Sequence, residues 1–271
     1  MFFALEKPIG RPDAVELFDP NTCPLVMAML YLEFIHYLIL SIEKTNLIRM
    51  KTADKPFSVD RFVEMIEERY RQWKPPIVTF ISERGATPFQ ILVSTLLSLR
   101  TKDEVTAKAC SRLFAVAQTP GEILELGEDE LKKLIYPVGF YPTKARRLQE
   151  ISRILLSEYA GEVPEEIDEL LKLPGVGRKT ANLVLVEGYQ KAAICVDTHV
   201  HRISNRVGYV KTKTPEATEM ALRKKLPGKH WLRYNELLVA FGQTVCRPVS
   251  PFCSQCPVDE MCPKVGVAKA R

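Results

Sequence analysis

Three threonine–proline pairs, Thr87-Pro88, Thr119-Pro120 and Thr214-Pro215, each stand directly ahead of a run with helical spacing, and they constrain the fold more than any other feature. A threonine at the N-cap lends its oxygen to an orphan N–H, and a proline at the first helical position has no N–H to lose. From Phe57 onward the rest of the chain keeps the same period. In Asp60 to Trp73, the residues Phe62, Val63, Ile66, Tyr70 and Trp73 build one apolar stripe. Further helices are expected over Lys102–Ala117, Asp129–Tyr136, Thr143–Tyr159, Glu165–Leu173, Arg178–Glu187, Thr198–Arg206 and Trp231–Val245. No stretch of any length alternates with period two, and connections such as Pro137-Val138-Gly139 and Ala160-Gly161-Glu162 are short and turn-rich. The chain reads as all-α, about ten helices followed by a non-helical tail that carries cysteines.

The length of 271 residues and a hydrophobic content of 46% allow one large core or two smaller ones. A net charge of +5 is compatible with a polyanionic partner without requiring one. Seven cysteines are an odd number, and no secretory signal precedes them. A reducing, intracellular compartment and a metal or cluster site fit that count better than a disulfide framework. The segment Cys23–Ile42 is as long as a membrane span, but Glu33 and His36 lie near its middle, where an ionisable group costs roughly 2.5–3.5 kcal/mol. It is read as a buried or surface-packed helix, with no membrane expected. A composition shift between Met50 and Pro56 marks residues 1–55 as an N-terminal extension, with Met50 as an alternative start of the natural product.

The stretch Leu173–Leu185, LPGVGRKTANLVL, joins two helical patterns through a glycine turn. A dinucleotide fingerprint would need a preceding strand and a third glycine where Thr180 stands; a phosphate-binding P-loop would need glycines where Arg178 and Leu173 stand. What is left is helix, tight turn, helix. The N–H groups of Gly175, Val176 and Gly177 beside a helix N-terminus suit a phosphate, and a plain helix–helix turn fits the same residues. Lys179 falls in the first helical turn, where the dipole disfavours a cation.

The tail Cys246–Cys262 spaces its cysteines as Cys-x6-Cys-x2-Cys-x5-Cys, namely Cys246, Cys253, Cys256 and Cys262. Four soft ligands in one short stretch suit zinc or an iron–sulfur cluster, and the single Cys-x2-Cys knuckle favours the cluster. Cys23, Cys110 and Cys195 fall in apolar patterns as ordinary core thiols. Asp197 precedes a helical pattern and reads first as its N-cap. His199 and His201, two apart on a helix, do not face one site. Arg202 and Arg206, four apart, suit either phosphates or a solvated face.

The lysine after the hairpin, the aspartate 18 residues later and the cysteine tail, in that order, resemble the endonuclease III family of the helix-hairpin-helix DNA glycosylase superfamily, over about Phe57 to Pro263. The resemblance implies two helical domains flanking a DNA-binding cleft: a six-helix barrel with the hairpin at 81–191, and a discontinuous iron–sulfur domain at 56–80 and 192–271. It implies Lys179 as nucleophile, Asp197 as the essential carboxylate and a 4Fe-4S cluster on the four cysteines. DNA contacts are implied for Gly175, Val176, Gly177 and Arg178 at the hairpin and for Arg100 and Phe140 opposite the lesion; Arg247 is expected near phosphates. Many relatives carry glutamine where Arg100 stands. The expected activity is that of a bifunctional glycosylase and AP lyase, acting as a monomer on duplex DNA with oxidised pyrimidines or abasic sites. A uracil or thymine·guanine mismatch glycosylase and a non-catalytic DNA-binding module are the alternatives. An adenine-mismatch enzyme would lack the lysine and carry a glutamate where Thr95 stands.

Overall fold

A computed structural model describes residues 57–271, together with Ile35 and His36. The expected helix at Cys23–Ile42 and the extension at 1–55 otherwise lie outside the described residues. Twelve α-helices follow in order among the described residues: α1 (Val59–Tyr70), α2 (Ile77–Ser82), α3 (Pro88–Ser98), α4 (Asp103–Phe114), α5 (Pro120–Glu125), α6 (Glu128–Ile135), α7 (Tyr141–Glu158), α8 (Ile167–Leu170), α9 (Arg178–Tyr189), α10 (Thr198–Arg206), α11 (Pro215–Lys225) and α12 (Tyr234–Thr244). No strand occurs among them, and no described helix is long and apolar enough to cross a membrane.

The threonine–proline starts work as their chemistry dictates. Thr87 accepts from Gln90 N at 3.3 Å while the Gln90 side chain accepts from Thr87 N at 2.9 Å, a reciprocal capping box. Thr119 and Glu122 repeat it at α5, and Thr214 caps α11 through Ala217 N. Helix α7 begins at Tyr141, two residues before its expected start, because Phe140 adopts the left-handed conformation as N-cap and Pro142 fits the first turn. Only Ile167–Leu170 of the expected Glu165–Leu173 helix is α-helical. The bonds Lys172 N to Glu169 O and Leu173 N to Leu170 O tighten its end into a 3₁₀ turn before Pro174. The six-residue α2 is too short to show an amphipathic period, so sequence spacing did not reveal it. The cysteine tail carries two 3₁₀ turns, Cys253–Gln255 and Asp259–Met261.

Residues Pro56–Arg271 form one unit with two hydrophobic cores. The first is surrounded by α2–α9, with α3 buried along nearly its whole length, as befits a helix apolar on all sides. The second gathers α1, α10, α11, α12 and the cysteine tail around Phe62, Ile66, Leu238 and Phe241. Phe62 and Ile66 are fully buried, and each such burial contributes roughly 1.5–3 kcal/mol. Ile77 and Val78 pack into the first core, so α2 goes with the barrel helices and not with α1. The connection after α9 serves both cores: Ala193 and Cys195 enter the first, Ile194 and Val196 the second.

Candidate active site and nucleic-acid interface

A cleft of about 750 Å³ is lined by Lys179, Asp197, Arg100, Phe140, Lys144 and Arg147, among others. Of the residues singled out in the sequence, Lys179, Asp197, Arg100 and Phe140 are thus brought together. Lys179 stands half-buried in the first turn of α9. Asp197 caps α10, its Oδ1 accepting from His199 N at 2.8 Å and Val200 N at 2.9 Å. The bland reading of Asp197 as a cap is therefore true, and the cap also faces the lysine's cleft. The Cys195 thiol donates to Lys179 O at 3.5 Å, tying the Asp197 segment to α9. Cys110 and Cys195 are buried core thiols, as expected.

At the hairpin, Gly175 has φ +79, a conformation that glycine adopts freely. The Val176 N–H donates to Leu173 O at 3.1 Å and its side chain is buried, so it is spent on the turn and not offered to a ligand. The exposed Gly175 and Gly177 flank it, and α9 has no side-chain cap, which leaves its first-turn N–H groups without a side-chain partner. Arg178 also departs from expectation. Its Nε and Nη2 donate to Glu219 Oε2 and Oε1 at 3.0 and 2.5 Å, clamping α9 to α11. Burial raises the Glu219 carboxyl, but hydrogen bonds from Arg178, Arg223 and Asn182 outweigh it and hold the group below the usual range.

Arg147 is the cation that sequence reasoning missed. It is exposed, lines the cleft, and covers the hairpin so closely that a Cβ on Gly175 would lie 2.9 Å from its Cδ. Its neighbours in sequence, Ala145, Arg146 and Leu148, carry no motif that would have marked it.

Arg202 and Arg206 turn inward, to neither phosphate nor open solvent. Arg206, 6% exposed, donates to Cys246 Sγ at 3.3 Å and to Arg247 O at 2.9 Å; Arg202 Nη2 donates to Cys246 O at 2.9 Å. They brace the loop in which Cys246, Cys253, Cys256 and Cys262 line a single cavity. Burial pushes the Cys256 thiol up to about 12, so thiolates there need a compensating cation, and the donor set fits a soft metal group. No described group of three or more His, Cys, Asp or Glu stands in the arrangement that holds a single metal ion. Arg247 is exposed outside the cleft, its guanidinium 5.0 Å over the Phe252 ring. His199 is half-buried beside Asp197, and burial lowers its pKa.

Residues 93–228 match the family model described as HhH-GPD superfamily base excision DNA repair protein. The chain belongs to that superfamily. Endonuclease III of Thermotoga maritima is 53% identical over 181 residues, spanning 67% of this chain and 85% of that protein. Endonuclease III homolog 2, chloroplastic, of Arabidopsis thaliana is 47% identical, and the chain spans 48% of its length. The solved non-covalent endonuclease III–DNA complex aligns at a TM-score of 0.69 with 33% identity, covering 76% of this chain and 94% of that one. A trapped endonuclease III–DNA covalent intermediate aligns at 0.65 with 32% identity, covering 77% and 97%.

Proposed function

We infer that this protein is a base-excision-repair DNA glycosylase with AP lyase activity, that it acts on oxidised pyrimidines in duplex DNA, and that Lys179 is its nucleophile. The observation that carries this reading is the meeting of Lys179 and Asp197 in one cleft, with Arg100 and Phe140 at its edge. Cutting an N-glycosidic bond requires the nucleotide to leave the stack for a pocket. The neutral Lys179 amine attacks the sugar C1′ as the base departs with the bonding electrons and takes up a proton. Loss of the proton on nitrogen and opening of the sugar ring give a Schiff base. Removal of a C2′ proton then expels the 3′ phosphate oxygen by β-elimination, and water releases the lysine. Asp197 supplies negative charge where the sugar becomes positive and can relay the protons.

The N–H groups of Gly175 and Gly177, the uncapped start of α9 and Arg147 form the phosphate-binding edge. Arg100 and Phe140 fill the space left by the extruded base. Cys246, Cys253, Cys256 and Cys262 would hold a 4Fe-4S cluster, whose chemistry here is to order the C-terminal loop. The two hydrophobic cores are the two domains, and the protein works as a monomer inside the cell.

The test is borohydride trapping on duplexes bearing thymine glycol, uracil opposite guanine, or an abasic site, with wild type and Lys179→Ala. Wild type is expected to form a covalent adduct with thymine glycol and abasic duplexes, and the variant none. An adduct that persists in Lys179→Ala rejects the nucleophile; trapping with uracil·G in preference to thymine glycol moves the assignment to mismatch repair. Iron rather than zinc, with absorption in the visible, is expected of the native protein.

A further inference from the structure

Lys144, in the first turn of α7, points its ammonium away from solvent and is 7% exposed. Its three protons go to Leu97 O at 2.9 Å, Leu99 O at 2.6 Å and Thr101 Oγ1 at 3.3 Å. The first two are carbonyls at the C-terminal end of α3, where the helix dipole favours a cation. Burial alone pulls its pKa down to about 8, so an ammonium here opposes folding, whereas a methionine would fill the same space without that cost. The use of a charge at this point therefore calls for a reason beyond filling the core.

The reason lies in what the ammonium joins. Thr101 Oγ1 accepts from Lys144, donates to Leu99 O at 3.3 Å, and accepts from Gly139 N at 3.1 Å, which uses its whole hydrogen-bonding capacity. One closed network thus spans the loop after α3 and the loop before α7. Across it the backbones touch: a Cβ on Gly139 would sit 2.6 Å from Arg100 O. Directly beside these anchors stand Arg100 and Phe140, both non-glycine residues in the left-handed region at φ 53 and φ 58. Such backbone persists only where its surroundings impose it. The Arg100 guanidinium lies 5.8 Å from the centre of the Phe140 ring, so the two side chains form one exposed, cleft-facing unit drawn from two loops.

We propose that Lys144 is a positioning residue that locks the Arg100 and Phe140 loops into a single rigid wedge, so that both side chains enter the base stack together. This rests on the reading of the cleft as a glycosylase site. A wedge of fixed geometry meets the duplex without first ordering its own loops, which lowers the barrier to extrusion of a paired nucleotide. It contributes less where the base is already missing.

The test compares single-turnover strand nicking of two duplexes, one with thymine glycol opposite adenine and one with an abasic site at the same position, using the full chain. Lys144→Met is expected to slow the thymine glycol reaction more than the abasic reaction, by a factor of about ten between the two. Adding Lys144→Met to a variant that already carries Arg100→Ala and Phe140→Ala is expected to slow it no further, because an unlocked wedge and an absent one fail alike. Equal slowing on both duplexes, or a further loss in that background, overturns the proposal in favour of a purely structural lysine. Thr101→Val keeps the ammonium and deletes the link to Gly139; it carries the same expectation should Lys144→Met not fold. If Arg100→Ala and Phe140→Ala both match wild type on thymine glycol, the wedge itself is refuted. If they are slow and Lys144→Met is not, the wedge stands and the role of Lys144 falls.

Discussion

Replacing Arg178 with alanine separates two roles open to a cation beside a DNA-facing turn. The family resemblance implied a DNA contact; the structure engages the Nε–Nη2 edge of its guanidinium with Glu219, which is 4% exposed against 37% for Arg178. Removing one partner of a fully buried pair costs about 3–5 kcal/mol. Here Arg178 is partly screened by solvent, and Glu219 retains Arg223 Nε at 2.9 Å, which reduces the figure to about 1.5–2.5 kcal/mol. At about 2–4 °C per kcal/mol for a unit of this size, Tm is expected to fall by roughly 3–10 °C. A phosphate contact would instead show in the salt dependence of DNA binding, each one adding about 0.9 to the slope of log K against log salt. Fluorescence anisotropy with an abasic-analogue duplex at several salt concentrations, alongside thermal unfolding, reads both quantities. Arg178→Ala is expected to lower Tm and leave the slope alone, whereas Arg147→Ala is expected to lower the slope by about 0.9 with little change in Tm. A slope reduced by Arg178→Ala at unchanged Tm would refute the clamp.

Asp197→Asn keeps a good helix cap, so its Tm should stay within about 2 °C of wild type while single-turnover excision falls at least about a hundredfold; a similar loss of both would reduce Asp197 to its capping role. Gly139→Ala places a Cβ against Arg100 O and is expected to destabilise the protein by roughly 1–3 kcal/mol in urea unfolding, since the close partner is backbone and cannot swing aside. The Glu219 carboxyl, held below its unfolded pKa, contributes stability that is complete above about pH 4.5 and is lost as pH falls through the lowered folded value. Glu219→Gln should therefore flatten the acid limb of Tm against pH, and an unchanged limb would assign it to other carboxylates.

The helices were legible because their signals are local. A threonine hydroxyl, a proline ring and an apolar stripe act within one or two turns, and α3, α5 and α11 begin where those signals stand. The cysteine spacing could be read for the same reason, its four residues lying close along the chain, whereas Asp197 alone reads as a cap and was paired with Lys179 only through the family resemblance. What stayed hidden depends on residues far apart in sequence. Glu219 meets Arg178 from 41 positions away, and nothing in PEATEMALRKK marks it as the partner. Arg206 reaches Cys246 over 40 positions, so an arginine that reads as surface is in fact the brace of the cysteine loop. Lys144 meets Leu97 O over 47 positions, and a lysine on a helix gives no sign of burial. Val176 failed for a subtler reason: the turn consumes its N–H, which only the backbone path reveals.

How Asp197 comes to share a cleft with Lys179 follows from the five residues Ala193 to Asp197. Their side chains alternate between cores, Ala193 and Cys195 to one side, Ile194 and Val196 to the other. A slip of one residue would exchange the two sets and force Ile194 and Val196 into space shaped for alanine and cysteine, so both cores enforce the register. Cys195 is further held from each side, its thiol on Lys179 O and its carbonyl accepting from Asn235 Nδ2 of α12 at 3.1 Å. Asp197 then leaves the segment with its direction already set and is fixed by its own two capping bonds. The position of the Asp197 backbone is thus set by burial in two cores. Substitutions that loosen the packing between the cores, such as loss of the Arg178–Glu219 clamp, should accordingly lower the rate of chemistry as well as stability, even though neither residue touches the reacting atoms.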